Sequence, residues 1–432
     1  MTRFSERDAD VIVVGAGPAG AATAYWCATA GCKVLVLEKA AFPRDKVCGD
    51  GLTPRAIAEL ARMGVDLSVD AGFVRNVGLR ISTTRRTWEL PWPDVAAFPS
   101  WGSAMSRRKF DHLLIQHAIK AGAELREQTR VTAVVRDEQT SRVIGVVGSQ
   151  GPGKEPVEYH ADVVVACDGA SSRLATTLGI LRRENRPIGA AHRAYFQVAG
   201  TPRADDAWME SHLELWSGIP GKSELLPGYG WIFNLGDGTA NVGLGSVVSS
   251  ARRAGDKHHN FRHLLDTWVA NAPEGFGLAP ANQLGRAAGH ALPMAFNRAS
   301  LYCDGVMLAG DAAGMISPFN GEGIAYALMA GRYAADAVVQ GVARNSGRDH
   351  EIIHCQYQRQ MRAELGGYYT LGRAFVRLIE HPAIMAFGAC YALPVPVVRQ
   401  FVVKLLSDCY EPRGGDWMDR TISLLTRIVP KS

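Results

Sequence analysis

The chain has 432 residues, 47% hydrophobic and 21% charged, which excludes a disordered or low-complexity protein and allows two or three structural regions around large cores. A formal net charge of +5 does not call for nucleic acid, and none is expected as a partner; it would favour an anionic membrane surface. Eight scattered cysteines form no CxxC pair and no Cys/His cluster, so neither a metal site nor a disulfide framework is expected.

Met1–Asp10 is polar and charged, without an apolar signal core. Val11-Ile12-Val13-Val14 then reads as a buried strand feeding Gly15-Ala16-Gly17-Pro18-Ala19-Gly20 and an alanine-rich helix. Lys33–Leu37 is the second strand, and Glu38 closes it. Gly15 permits the tight strand-to-helix turn, Gly17 lets backbone approach a pyrophosphate, and Gly20 lets helix pack closely on strand. The helix N-terminus offers free N–H groups to phosphate, and Glu38 is placed for a ribose hydroxyl. Together these predict an adenine-dinucleotide site.

A helix is expected from Met105–Leu114 to about Ala121, then a strand at Arg130–Val135. Val143–Val147 and Val157–His160 read as a hairpin, and Ala161–Ala166 as a separate buried strand ending in Cys167-Asp168-Gly169. Ala190–Val198, Leu213–Trp216, Gly230–Leu235 and Asn241–Val248 alternate apolar and polar residues between Gly, Pro and Asp, which predicts an antiparallel sheet. Val306–Ala309 is again a short buried strand, running into Gly310-Asp311 and a helix from about Gly323 to Val342. Asp311 is placed to bond the sugar alcohol joining a flavin to its phosphate. Two phosphate-facing turns plus Glu38 suit FAD better than NAD. From Asp349 the chain reads helical. Ala383–Leu406 is apolar but broken by Pro394 and Pro396, with Arg399 and Lys404 in its later half. That stretch is either core helices closing the domain or helices at a substrate mouth or lipid interface. No run of about 18 uninterrupted apolar residues occurs, so no spanning helix is expected.

These features predict an α/β protein: a Rossmann-like FAD-binding domain of glutathione-reductase type, interrupted by an antiparallel β-sheet substrate domain and followed by a helical C-terminal region. The expected boundaries are 1–75, 100–182 and 286–345 for the first, 76–99 and 183–285 for the second, and 346–432 for the third.

The set Gly15/Gly17/Gly20, Glu38, Arg107-x-x-Phe110-Asp111, Cys167-Asp168-Gly169 and Gly310-Asp311 resembles the flavoprotein group of aromatic hydroxylases, flavin halogenases and geranylgeranyl reductases. The chain most resembles the geranylgeranyl reductases. Phe42–Leu52 is similar to their K-x-C-G-x-G-L segment, and Tyr229-Gly230-Trp231-Ile232-Phe233 to the core of their Y-x-W-x-F-P isoprenoid-site motif. Gly415-Asp416-Trp417 and the helical tail resemble actinobacterial menaquinone side-chain reductases. The motif's closing Pro is Asn234 here and its leading Pro falls one position late, at Pro227, which implies a differently shaped or more polar tunnel end. The W-x-W-x-I-P of a halogenase is absent. The resemblance implies that Arg107, Asp168 and Asp311 contact FAD, and that Pro318 and Asn320-Gly321-Glu322-Gly323 border its ring. It further implies cofactor contacts at Pro18, Ala19, Lys39, Cys48, Gly49, Val131, Gly169, Gly310 and Ile324.

An FAD-dependent prenyl reductase is therefore expected, acting on a menaquinone side chain or a geranylgeranyl-type lipid. An isolated trisubstituted alkene is electron-rich, so protonation must accompany hydride delivery, in a pocket that excludes water. Tyr229, Trp231 and Phe233 either line such a tunnel or are three aromatics buried by strand alternation. Cys48 is either a thiol assisting proton delivery or alkene positioning, or a small buried one. The alternatives are an FAD-dependent monooxygenase of a natural product and a flavin protein passing electrons to a quinone head. The electron donor, NAD(P)H or a ferredoxin, is left open, no second nucleotide motif selecting between them. The expected location is cytoplasmic, with peripheral attachment to the inner face of the membrane.

Overall fold

The computed structural model describes residues 7–198, 208–248, 260–344 and 347–431; the first six residues of the polar N-terminal stretch lie outside them. A sheet of mostly parallel strands forms the base. Its order is Tyr302–Cys303, Val306–Leu308, Glu155–Ala166, Ala9–Val14, Val34–Leu37, Glu124–Arg126. Registry pairs Val11 with Val34 and with Val163, and Val164 with Val306. Both faces are covered, so Val11, Ile12, Val13 and Val36 are fully buried. That is why these strands read as unbroken apolar runs rather than alternations. Helix Pro18–Thr29 packs on helix Ile324–Arg344, close enough that a Cβ on Gly331 would stand 2.5 Å from the Ala19 carbonyl.

The second sheet has the order Gln283–Pro293, Ile188–Gln197, Thr239–Val248, Gly228–Asn234, Trp208–His212, Gly78–Ser82, Thr87–Pro91. It is antiparallel, as expected, with one parallel pair where Trp208–His212 runs alongside Gly78–Ser82. A third, small sheet pairs Gly51 with Ala104 and Val74 with Ala104. It fixes the segment after Cys48 beside the start of helix Arg107–Lys120.

Two expectations are corrected. Val157–His160 and Ala161–Ala166 are one strand, Glu155–Ala166, whose first half pairs with Val143–Gln150 and whose second half joins the parallel sheet. Of Leu213–Trp216 only Leu215–Trp216 is a strand, Leu213 and Glu214 linking it to strand Trp208–His212. Gly310–Ala313 is a single 3-10 turn ended by left-handed Gly314, and the long helix runs Ile324–Arg344, as expected from about Gly323.

Helix Gly347–Ile379 packs against helix Ile324–Arg344 and the Tyr302–Cys303 edge of the first sheet and buries Tyr357 and Tyr369, which donate to the carbonyls of Leu308 (2.8 Å) and Met315 (3.1 Å). Helices Pro382–Phe387 and Pro396–Leu406 follow, joined by a π-helical turn. The last helix, Trp417–Ile428, is opened by a capping box between Asp416 and Asp419. Lys404 bonds both carboxylates at 2.8 Å, which ties it to the tail. Among the described residues no helix is long and apolar enough to cross a membrane.

Candidate active site

Where strand Ala9–Val14 meets helix Pro18–Thr29 the chain turns on Gly15, with φ of +98°. A Cβ there would lie 2.4 Å from the Cys167 carbonyl, and one on Gly20 would lie 1.8 Å from the Gly15 carbonyl. No side chain larger than hydrogen fits either position. Gly17 is the N-cap and carries no side-chain cap, while Pro18 occupies the first turn, so the helix's free N–H groups open into a cavity. Glu38 is buried beside them. Its Oε2 accepts from the Ala16 amide at 2.9 Å and its Oε1 from Ala40 at 3.1 Å.

Along the floor of this trough runs a chain of buried ions. Arg44 lies 3.3 Å from Glu38 and donates to Asp111 at 2.7 Å. Arg107 grips the same Asp111 through two bonds of 2.6 and 2.7 Å. Arg107 is held in one geometry by this bidentate pair, with a guanidinium edge left for an anion. Asp168 accepts from the amides of Arg173 (2.8 Å) and Leu174 (3.2 Å) through Oδ2, while its buried Oδ1 has no partner. Asp311 stands 3.7 Å from Lys46 and 4.0 Å from His290. Burial holds Lys46 below the usual lysine range, and burial followed by Lys46 pushes His290 down to about 4, so the imidazole is neutral near pH 7.

Of the predicted site residues, Gly15, Gly17, Pro18, Ala19, Glu38, Lys39, Cys48, Gly49, Arg107, Val131, Asp168, Gly169, Gly310, Asp311, Pro318, Gly321, Gly323, Ile324, Tyr229, Trp231 and Phe233 all line one cavity of about 920 Å³. Gly20 does not; it lies beneath Gly15. The trough's open helix N-terminus, paired acids and orphaned Asp168 oxygen fit a pyrophosphate flanked by hydroxyl donors, as FAD would present.

Beyond the trough the cavity wall becomes aromatic. Trp231 and Phe233 stack at 6.2 Å between centroids, and Tyr229 tilts against Trp231 at 5.9 Å. A Cβ on Gly49 would lie 3.5 Å from both Trp231 and Phe233, so the Cys48 segment lies directly against this wall. The Tyr229 hydroxyl donates to the Asn320 carbonyl at 2.6 Å, joining the wall to Asn320–Gly323. The cavity then continues among Phe375, Leu378, Ile384, Leu393 and Leu406 of the C-terminal helices.

A family model described as "FAD binding domain" matches residues 8–350. Over 425 residues the chain is 36% identical to a menaquinone reductase of Mycolicibacterium smegmatis, covering 98% of this chain and 97% of the relative. It is 32% identical over 340 residues to digeranylgeranylglycerophospholipid reductase 1 of Methanopyrus kandleri, covering 77% and 81%. The chain belongs to the geranylgeranyl reductase group of the FAD binding domain family. It is an FAD-dependent oxidoreductase. Its fold matches that of a geranylgeranyl bacteriochlorophyll reductase-like protein of Thermoplasma acidophilum, with a TM-score of 0.75, 23% identity, and 97% and 99% of the two chains covered. The same architecture recurs in a flavin-dependent brominase, with a TM-score of 0.70 and 21% identity over 97% and 99%.

Two features of this oxidoreductase's site arise only from the fold: a hub that no motif covers, and the buried state of Glu322, a residue that the family resemblance already sets at the ring. The first is a buried hub around Asp50, whose Oδ2 accepts from the Tyr195 hydroxyl (2.7 Å) and the Asn241 amide (2.9 Å). Asn241 also donates to the Cys48 carbonyl at 2.7 Å and accepts from the Trp231 indole N–H at 2.9 Å. One side chain thus sets both the Cys48 turn and the Trp231 ring. Burial pushes Asp50 up to about 6, against the lowering effect of those hydrogen bonds. The second is Glu322, which lines the cavity. Its Oε1 accepts from Thr53 Oγ at 2.5 Å and its buried Oε2 has no partner. Burial pushes its carboxyl up to about 7.

Proposed function

We propose that this oxidoreductase saturates one or more double bonds of an isoprenoid chain, with a menaquinone side chain as the leading substrate and geranylgeranyl-type lipids next. The observation that carries this reading is the continuity of the cavity, from the dinucleotide trough past Trp231 to the apolar sleeve of Phe375, Leu378 and Leu393. The names of the Mycolicibacterium and Methanopyrus relatives support the same substrate class. Residues 1–75, 100–182 and 286–345 would then serve the cofactor, 76–99 and 183–285 the substrate, and 346–432 the far end of the channel.

In this reading Gly15, Gly17, Glu38, Arg107, Asp168 and Asp311 hold FAD, which when bound supplies the hydride that an alkene needs. The chain's own residues supply the rest. Tyr229, Trp231 and Phe233 exclude water, and their ring faces stabilise the positive charge that develops on an alkene carbon as it takes a proton. Cys48 lies against that wall, where its thiol assists proton delivery or positions the alkene. Glu322, raised to about 7 by burial, holds a proton in the cavity up to near-neutral pH on the oxygen that Thr53 leaves free.

The cavity's far end supports attachment to a lipid surface. Leu378, Ile384, Phe387, Tyr391, Val395 and Val397 are exposed on the helices that line it, Phe387 and Tyr391 at 62% and 69%. So many apolar side chains on one short run mark a surface built to meet something apolar. Mass spectrometry of cellular prenyl lipids and quinones, with and without the protein, tests the whole reading. A gain of two mass units per bond in one lipid tail is expected. An oxygen-dependent hydroxylation instead would identify a monooxygenase, and a change confined to the quinone head would identify a quinone reductase.

A further inference from the structure

Segment Ile180–Arg186 lies alongside Asn297–Ala299: the Arg183 amide donates to the Asn297 carbonyl, and the Ala299 amide to the Leu181 carbonyl, both at 3.1 Å. Helix Gly347–Ile379 packs against this pair of segments, and the three elements gather Arg183, Arg186, Arg362, Arg373 and Arg377. The guanidiniums of Arg183 and Arg362 converge on one acceptor, the Ala299 carbonyl, at 3.4 and 3.2 Å. Arg186 is only 7% exposed. Its Nε and that of Arg362 are buried without an acceptor. Among the described residues no carboxylate forms an ion pair with Arg183, Arg186 or Arg362.

Burying a cation is costly unless an anion and hydrogen-bond acceptors meet it. Here the neighbours are more cations. Burial, then Arg373, Arg183 and Arg362, push Arg186 down to about 10. Burial and Arg183 lower Arg362. Burial, Arg377 and Arg183 lower Arg373. Among the described residues no acid offsets Arg186 or Arg362. Each guanidinium presents a planar fork of N–H donors, and several converging forks offer more donors than one carboxylate can accept. An oxyanion with three or more oxygens matches them.

We propose that Arg183, Arg186 and Arg362 form a binding site for a phosphate or diphosphate group, separate from the dinucleotide trough. None of the five arginines lines the large cavity, so the site is not the cofactor's own. Arg373 and Arg377 flank it on the same helix that gives Phe375 and Leu378 to the channel. The proposal does not depend on which substrate the channel takes.

The test uses the full chain loaded with FAD, so that the cofactor's phosphate site is filled. Inorganic pyrophosphate, titrated calorimetrically at low salt, should bind saturably. Binding should weaken by roughly tenfold or more in Arg183→Gln and in Arg362→Gln, each losing charge-assisted bonds. Both replaced residues are half-buried, and an unchanged flavin-to-protein absorbance ratio establishes that each variant is folded. Arg186→Lys, which keeps the charge but loses the fork, should lie between wild type and the glutamine variants. A parallel arm uses phosphatidylglycerol and phosphatidylcholine vesicles. Variant-sensitive binding to the first, displaced by pyrophosphate, assigns the group to a lipid headgroup. Variant-sensitive pyrophosphate binding without it assigns a soluble ligand. Pyrophosphate that fails to bind, or binds wild type and both glutamine variants equally, overturns the proposal.

Discussion

Replacing Glu322 by Gln should remove a pH dependence from the protein's stability. The carboxyl's ordinary value is 4.5, and burial raises it to about 7 in the folded chain. A carboxyl raised on folding is protonated in both folded and unfolded chains below 4.5, where it costs nothing. Between 4.5 and 7 the unfolded chain ionises while the folded chain keeps its proton, so stability falls as pH rises. Above 7 the loss is complete. A difference of about 2.5 pH units at about 1.4 kcal/mol each amounts to about 3.5 kcal/mol in full, slightly less across a finite pH range. Glutamine cannot ionise, and it retains an oxygen for the Thr53 hydroxyl. The stability of Glu322→Gln relative to wild type should therefore rise by about 3 kcal/mol between pH 4.5 and pH 8. Asp50 and His290 titrate in both proteins and cancel in the difference. Urea unfolding of the FAD-loaded proteins across this range is the assay. A wild-type-minus-variant difference that does not change with pH would refute the burial argument, and with it the proton-holding role of Glu322.

Trp231→Ala should lower turnover of long isoprenoids by at least tenfold while FAD stays bound, and should cost about 3–5 kcal/mol of stability as a buried indole and its bond to Asn241 are lost; Trp231→Phe keeps a ring, and steady-state kinetics should show it recovering much of the activity. Cys48→Ala should retain the flavin spectrum and lose most prenyl reduction; full turnover would remove the thiol from the mechanism. Replacing Phe387 and Tyr391 together by Ser should reduce flotation with anionic vesicles several-fold without changing FAD content, and unchanged flotation would mean that these rings do not meet lipid.

What the sequence discloses follows from how local the chemistry is. The Gly15–Glu38 unit is legible because turn, helix start and strand-end acid lie within one βαβ segment, each with a distinct residue requirement. The aromatic wall is legible as alternation along Gly228–Asn234. By contrast, the Asp50 hub joins residues nearly two hundred positions apart, Asn241 to Cys48 and Asp50, through bonds that no single window contains. The surroundings of Glu322 combine a hydrogen bond from Thr53 with the opposed charges of Arg55 and Asp408, which come from opposite ends of the chain. Strand direction leaves no trace in alternation, so the parallel pairing of Trp208–His212 with Gly78–Ser82 goes unread. Glu155–Ala166 reads as two strands because its first half faces solvent in a hairpin and its second is buried on both faces, a change of environment without a turn.

The central claim is that the cavity lets bound, reduced FAD reach a double bond in a prenyl tail. The most direct measurement mixes anaerobically photoreduced holoenzyme with menaquinone and follows flavin absorbance and product mass in a single turnover. Flavin reoxidation matched by a tail heavier by two mass units, with the ring system unaltered, is the predicted result. Flavin that stays reduced until oxygen is admitted, or reoxidises while the tail's mass is unchanged, would contradict it.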